Sequence, residues 1–93
     1  MNKYESVVII KPSVDEEAMK ALVQKFTDII NNDGKVEKVE ELGKRKLAYE
    51  IQKNKEAYYV VFTFEANPAS IAELERVFRI TDEVIKFIVI KQD

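Results

Sequence analysis

The side chains best equipped for chemistry in this chain are cations. Lys44, Arg45 and Lys46 are consecutive, and Lys53 and Lys55 follow closely, while acids gather elsewhere in Asp15-Glu16-Glu17 and Glu40-Glu41. The net charge is only −2, so any attraction for a polyanion has to come from this local segregation. Cations confined to one edge can meet phosphates and release counterions, with acids elsewhere preserving solubility. Charge of this kind also guards an edge strand against pairing with another chain. Taken alone, the cluster reads first as that guard.

Other chemistry is poorly supplied. The chain has no cysteine and no histidine, which removes disulfides, thiol nucleophiles, imidazole bases and the usual zinc ligands. A metal could bind only through oxygen. The remaining Asp, Glu, Lys and Tyr residues are joined by no catalytic motif, so neither an enzyme nor a cofactor is expected. The apolar run from Val7 to Ile10 is too short for a signal-peptide core or a membrane span. With thiols absent as well, a cytoplasmic protein with no membrane partner is expected. Ninety-three residues, 46% of them hydrophobic, suit one domain over residues 1–93.

The elements that must position the cations follow from periodicity. Residues 3 to 10 alternate as a strand, closed by Pro12, which cannot donate to a ladder. Ser13 and Glu16 fit a capping box, and Val14, Ala18, Leu22, Phe26, Ile29 and Ile30 recur at helical spacing until Gly34 offers a left-handed cap. From Lys35 the chain turns β-like. Val36 and Val39 are three apart, which predicts a bulge, and Gly43 is a second candidate kink. Leu47, Tyr49 and Ile51 restore the alternation and are expected to anchor the strand by burial. QKNKEA supplies a polar turn, and Tyr58 to Glu65 returns as a strand to complete a long hairpin. Asn67-Pro68 starts a second helix with Asn as cap and Pro in the first turn; Ile71, Leu74, Val77 and Phe78 give its apolar face. It ends near Arg79, and Val84 to Lys91 forms a last strand. The order β-α-β-β-α-β predicts an α+β, ferredoxin-like fold: a four-stranded antiparallel sheet with both helices on one face.

That arrangement leaves one sheet face bare. Ser6, Val8 and Ile10 of the first strand, and Val60, Phe62 and Phe64 of the third, can face the helices. Val7, Ile9, Tyr59, Val61, Ile88 and Ile90 then turn outward as a largely apolar patch, more apolar than a wetted sheet face requires, and are the candidate partner-protein interface. An RNA-recognition motif shares this strand order but needs stacking aromatics on strands one and three, with a basic residue and glycine leading strand three. Here EAYYVVFTFE, residues 56 to 65, opens with an acid, has Ala57 where glycine would help, and presents one outward aromatic. Base stacking across the open face is not expected. RNA contact is expected at the edge and ends of the sheet.

VEKVEELGKRKLAYEI, residues 36 to 51, sharpens this choice. With Gly43, a basic residue at 45, then Leu47, Ala48, Tyr49 and Ile51, it resembles the signature of the family of the sixth bacterial small-subunit ribosomal protein. Lys3-Tyr4-Glu5, Pro12, Gly34 and the closing strand fit the same family, so the likeness spans nearly the whole chain. The resemblance implies a structural constituent of the small ribosomal subunit, on its platform, that pairs with small-subunit ribosomal protein eighteen and binds the central domain of 16S rRNA. Residue by residue it implies RNA contact by Lys3 and Tyr4, by the basic pair Arg45 and Lys46, by Lys86 of the last strand and by Lys91; Lys44 joins them as the neighbouring member of the cation cluster. Ile85 stands beside Lys86 where some relatives carry two cations.

One rival shares the topology. A regulatory module that binds a small molecule between paired domains would want a glycine-rich ligand loop, and the chain has only Gly34 and Gly43. No small-molecule substrate is therefore expected.

Overall fold

The computed structural model describes residues 1–92. Its elements run β1 (Asn2–Ile10), α1 (Glu16–Asn31), β2 (Gly34–Ile51), β3 (Asn54–Ala66), α2 (Pro68–Ile80) and β4 (Val84–Gln92). The sheet order is β2-β3-β1-β4, every pairing antiparallel. This is the expected ferredoxin-like arrangement. Alternation in β1 and β3 sends Tyr4, Val8, Ile10, Val60, Phe62 and Phe64 into one core with Leu22, Phe26 and Ile30 of α1 and Leu74, Val77 and Phe78 of α2. Phe26 is the hub. Its ring meets Phe62 edge-on at 6.2 Å between centroids and Phe78 at 4.8 Å, so one residue ties both helices to the sheet. Ser6 shares this core face, fully buried, with no hydrogen-bond partner for its hydroxyl among the described residues.

Several local expectations need correction. The first helix is capped by Asp15, whose carboxylate accepts from the Ala18 amide at 2.8 Å, and not by a Ser13–Glu16 box. Pro12 and Ser13 are still in a turn, closed by the Val14 amide donating to the Lys11 carbonyl at 3.3 Å, so the helix starts two residues later. Gly34 is not a left-handed cap but the first residue of β2. A Cβ there would lie 2.2 Å from the Glu65 carbonyl oxygen, so close strand approach, not backbone handedness, demands glycine. Asn67 occupies the N-cap position of α2, yet its side chain makes no cap bond and donates instead to Asp33 at 3.3 Å.

The hairpin is tighter and longer than its composition suggests. Gln52 and Lys53 both have positive φ, 49° and 67°, as a two-residue turn matched to strand twist requires. The Asn54 amide fastens that turn by donating to the Ile51 and Gln52 carbonyls, each at 3.3 Å, so β3 begins at Asn54 and not at Tyr58. The expected irregularities in β2 are present. The register with β3 shifts between Val36 and Lys38 and again between Glu41 and Gly43, where Gly43 has φ 79°. A third shift, between Lys46 and Ile51, frees residues 47 to 50 from the ladder.

Candidate nucleic-acid and partner-protein interface

The irregularities in β2 decide where the cations go. Because β1 stops at Ile10, opposite Tyr58, the hairpin beyond that pair projects past the central strand. Lys44, Arg45 and Lys46 pair with Tyr58, Ala57 and Glu56 at the base of this projection. Strand alternation divides the three. Lys44 and Lys46 fall on the helix side, with Lys44 5.5 Å above the Tyr58 ring, whereas Arg45 falls on the open side with Ala57. All three are exposed. They form the corner of the hairpin and not one flat basic face.

Beyond the cations the hairpin curls over the open face. Leu47 and Ile51 pack against a second small core of Ile9, Ala57 and Ile85, joined by Tyr59. Lys86 donates to the Tyr49 hydroxyl at 3.4 Å, linking the hairpin to β4 at the opposite edge of the sheet. Val7, Ile9, Tyr59 and Ile88 form the floor of the resulting groove, and Leu47, Ala48, Tyr49, Ile51 and Lys86 its walls, enclosing roughly 240 Å³. Tyr49 is 64% exposed, so it is not the buried anchor its alternation suggested; Leu47 and Ile51 serve that role. The rung is free to lean outward because residues 47 to 50 lie outside the ladder.

The six candidate partner-contact residues share this face but differ in access. Val7, Ile9, Tyr59 and Ile88 are brought together at the groove, while Val61 and Ile90 continue the apolar surface beside it. Ile9 is only 7% exposed, sealed by the hairpin, and acts as floor; Ile88 and Ile90, at 45% and 49%, are the accessible apolar side chains. Lower on the same face Lys3, Glu5, Lys38, Glu40 and Glu65 bring charge, with Lys38 and Glu40 paired at 3.4 Å. The apolar surface therefore belongs to the hairpin half of the sheet. Leu47, Ala48 and Ile51 as groove walls were not visible as such in the sequence. Only the unpaired run after Lys46 turns them over the sheet.

The seven candidate RNA-contacting residues fall into two groups. Lys44, Arg45, Lys46 and Lys86 lie at the hairpin end, and Lys3 and Lys91 at the opposite end, with Lys3 opposite Gln92 and Lys91 opposite Tyr4. Lys86 and Lys91 are about 17 Å apart at ~3.4 Å per strand residue. Tyr4 itself is core: it is 6% exposed and stacks on Phe64 at 5.7 Å, so its ring offers no platform to a base. Its burial fixes the strand ends from which Lys3 and Lys91 project. Among the described residues, no group of His, Cys, Asp and Glu side chains is arranged to hold a metal, and no helix is long and apolar enough to cross a membrane.

Comparison with known proteins fits this geometry. Residues 3–91 match the family model described as ribosomal protein S6. The small ribosomal subunit protein bS6 of Clostridium kluyveri is 53% identical over 94 aligned positions, covering 100% of this chain and 99% of that protein. Its counterpart in Clostridium perfringens is 51% identical with the same coverage. The crystal structure of 30S ribosomal protein S6 from Thermotoga maritima superposes with a TM-score of 0.93 at 40% identity, over 98% of this chain and 87% of that one. The C-terminal domain of the MgtC protein from Mycobacterium tuberculosis, at 15% identity and a TM-score of 0.62, shares the fold alone.

Proposed function

Because the chain belongs to the ribosomal protein S6 family, we propose that it is a non-catalytic constituent of the small ribosomal subunit that binds the central domain of 16S rRNA together with small-subunit ribosomal protein eighteen. The observation that carries this reading is the adjacency, at one end of the sheet, of a basic corner and an apolar groove. Lys86 lines a groove floored by Val7, Ile9, Tyr59 and Ile88, Arg45 falls on the same open side at the base of the hairpin, and Lys44 and Lys46 flank it on the helix side. A surface built this way suits a partner that buries its own apolar side chains in the groove while both proteins present cations to one RNA backbone. Lys3 and Lys91 supply a second phosphate contact at the far end. The protein works in the cytoplasmic ribosome, where its role is to hold RNA and partner in register and not to transform a substrate.

The partner half of the proposal is tested by placing charge beside the groove. Val61→Lys with Ile88→Lys leaves the helix-side core untouched and introduces ammonium groups where an apolar contact forms. Titration calorimetry with small-subunit protein eighteen then reads an affinity at least about tenfold weaker, because an unpaired charge buried at an interface costs ~2 kcal/mol or more. Unchanged affinity removes this face as the docking surface.

A further inference from the structure

A second concave site lies on the other side of Lys86. Three elements distant in sequence converge there: Gln52 from the hairpin turn, Arg79 from the last turn of α2, and Lys86 with Val84, Ile85 and Phe87 from β4. Together with Phe78 they line a notch of roughly 370 Å³. Its charged lining residues are both cations. Neither Arg79 nor Lys86 has a carboxylate within ion-pair distance among the described residues, whose ion pairs join Lys20 to Glu16, Lys38 to Glu40 and Arg76 to Glu73. Arg79 is exposed, and its guanidinium enters none of the ion pairs among the described residues.

We propose that Arg79, Lys86 and the Gln52 side-chain amide form a phosphate-binding notch for the RNA backbone, extending the footprint of the basic hairpin around the end of the sheet to α2. The inference rests on the reading of this chain as an rRNA-binding protein and adds a contact that the sequence did not single out. A guanidinium presents a planar fork matched to phosphate oxygens, the ammonium of Lys86 adds a point charge, and Gln52 adds a neutral donor. Phe78, Val84 and Phe87 complete the lining with apolar side chains, and no carboxylate is among the lining residues. A helix C-terminus ordinarily disfavours an anion, because its last carbonyls carry partial negative charge. Thr81 answers two of them here. Its hydroxyl donates to the Val77 carbonyl at 2.6 Å and its amide to the Phe78 carbonyl at 3.3 Å. Lys86 lines both the notch and the apolar groove, so a phosphate in the notch sits directly beside the protein-docking surface.

The test measures the salt dependence of binding between a central-domain fragment of 16S rRNA and the full chain in complex with small-subunit protein eighteen. Arg79→Gln is expected to make the negative slope of log K against log salt shallower by about one unit and to weaken binding about tenfold near 0.1 M salt, while Arg79→Lys retains the slope. Thermal unfolding of both variants matches the parent, since residue 79 is exposed. If Arg79→Gln keeps the parent slope and affinity while Arg45→Ala with Lys46→Ala loses them, the notch is overturned and the rRNA reading stands. If the unsubstituted complex shows no salt-sensitive RNA binding, both fall.

Discussion

Lys86 of β4 donates to the hydroxyl of Tyr49 on the hairpin at 3.4 Å, and this contact spans the sheet from one edge strand to the other. Alternation in residues 47, 49 and 51 pointed to three buried anchors, whereas the third break in the β2 ladder leaves Tyr49 64% exposed. Tyr49→Ala is accordingly expected to cost less than about 1 kcal/mol of stability by urea denaturation. Leu47→Ala, which empties a half-buried site against Ile9, Ala57 and Ile85, is expected to cost roughly 2 kcal/mol. A loss near 3 kcal/mol for Tyr49→Ala would show that the ring is core after all.

The two glycines separate steric need from conformational need. Gly34→Ala forces a Cβ to within 2.2 Å of the Glu65 carbonyl oxygen, and backbone cannot swing away as a side chain can, so β2 and β3 must part at their paired ends. Gly43→Ala meets nothing within 4 Å and suffers only the left-handed backbone at φ 79°, a cost of roughly 1–2 kcal/mol. Equilibrium unfolding should rank Gly34→Ala as clearly the worse. Equal losses would mean that β2 slides easily past β3.

Asp33 gives a pH-dependent prediction. The Ser70 hydroxyl, and after it the Asn67 amide, donate to its carboxylate and hold its pKa below the ordinary aspartate value. A folded pKa below the unfolded one contributes stability that is present above the unfolded value and is lost as pH falls through the folded value. Ser70→Ala should therefore raise the Asp33 midpoint toward that of a free aspartate, read from the side-chain carboxyl resonance in an NMR titration. A midpoint unmoved by Ser70→Ala would assign the shift to another cause.

What could be read from the chain, and what could not, divides along a physical line. Element order and the helix-facing residues Val8, Ile10, Phe62 and Phe64 were legible because each obeys a local period of 2, and Phe26 because it obeys one near 3.6. The bulge after Val36 and the kink at Gly43 were legible because an apolar spacing of three and a glycine break that period. Of the site, the residue types and the shared open face of Val7, Ile9, Tyr59, Val61, Ile88 and Ile90 were legible, but not the groove. That Ile9 is sealed by Leu47 and Ile51, and that Gln52 lines one notch with Arg79, depend on how the hairpin curls. That curl is set by the unpaired run at 47–50 and by positive φ at Gln52 and Lys53, neither of which is a glycine that would have announced it. Tyr4 misled for the opposite reason: a basic-aromatic pair suggests a surface, yet its ring parity with Phe64 sends it inward.

The central claim is that the basic corner exists for RNA and not merely to guard an edge strand, and salt titration of rRNA binding tests it most directly. Arg45→Ala with Lys46→Ala in the complex with small-subunit protein eighteen should make the negative slope of log K against log salt shallower by about two units, one for each phosphate no longer neutralised. Both side chains are exposed, so stability should shift by no more than ~0.5 kcal/mol for each. Parent affinity and slope in this double variant, accompanied by faster aggregation, would contradict the account and leave the cations as guards of the β2 edge.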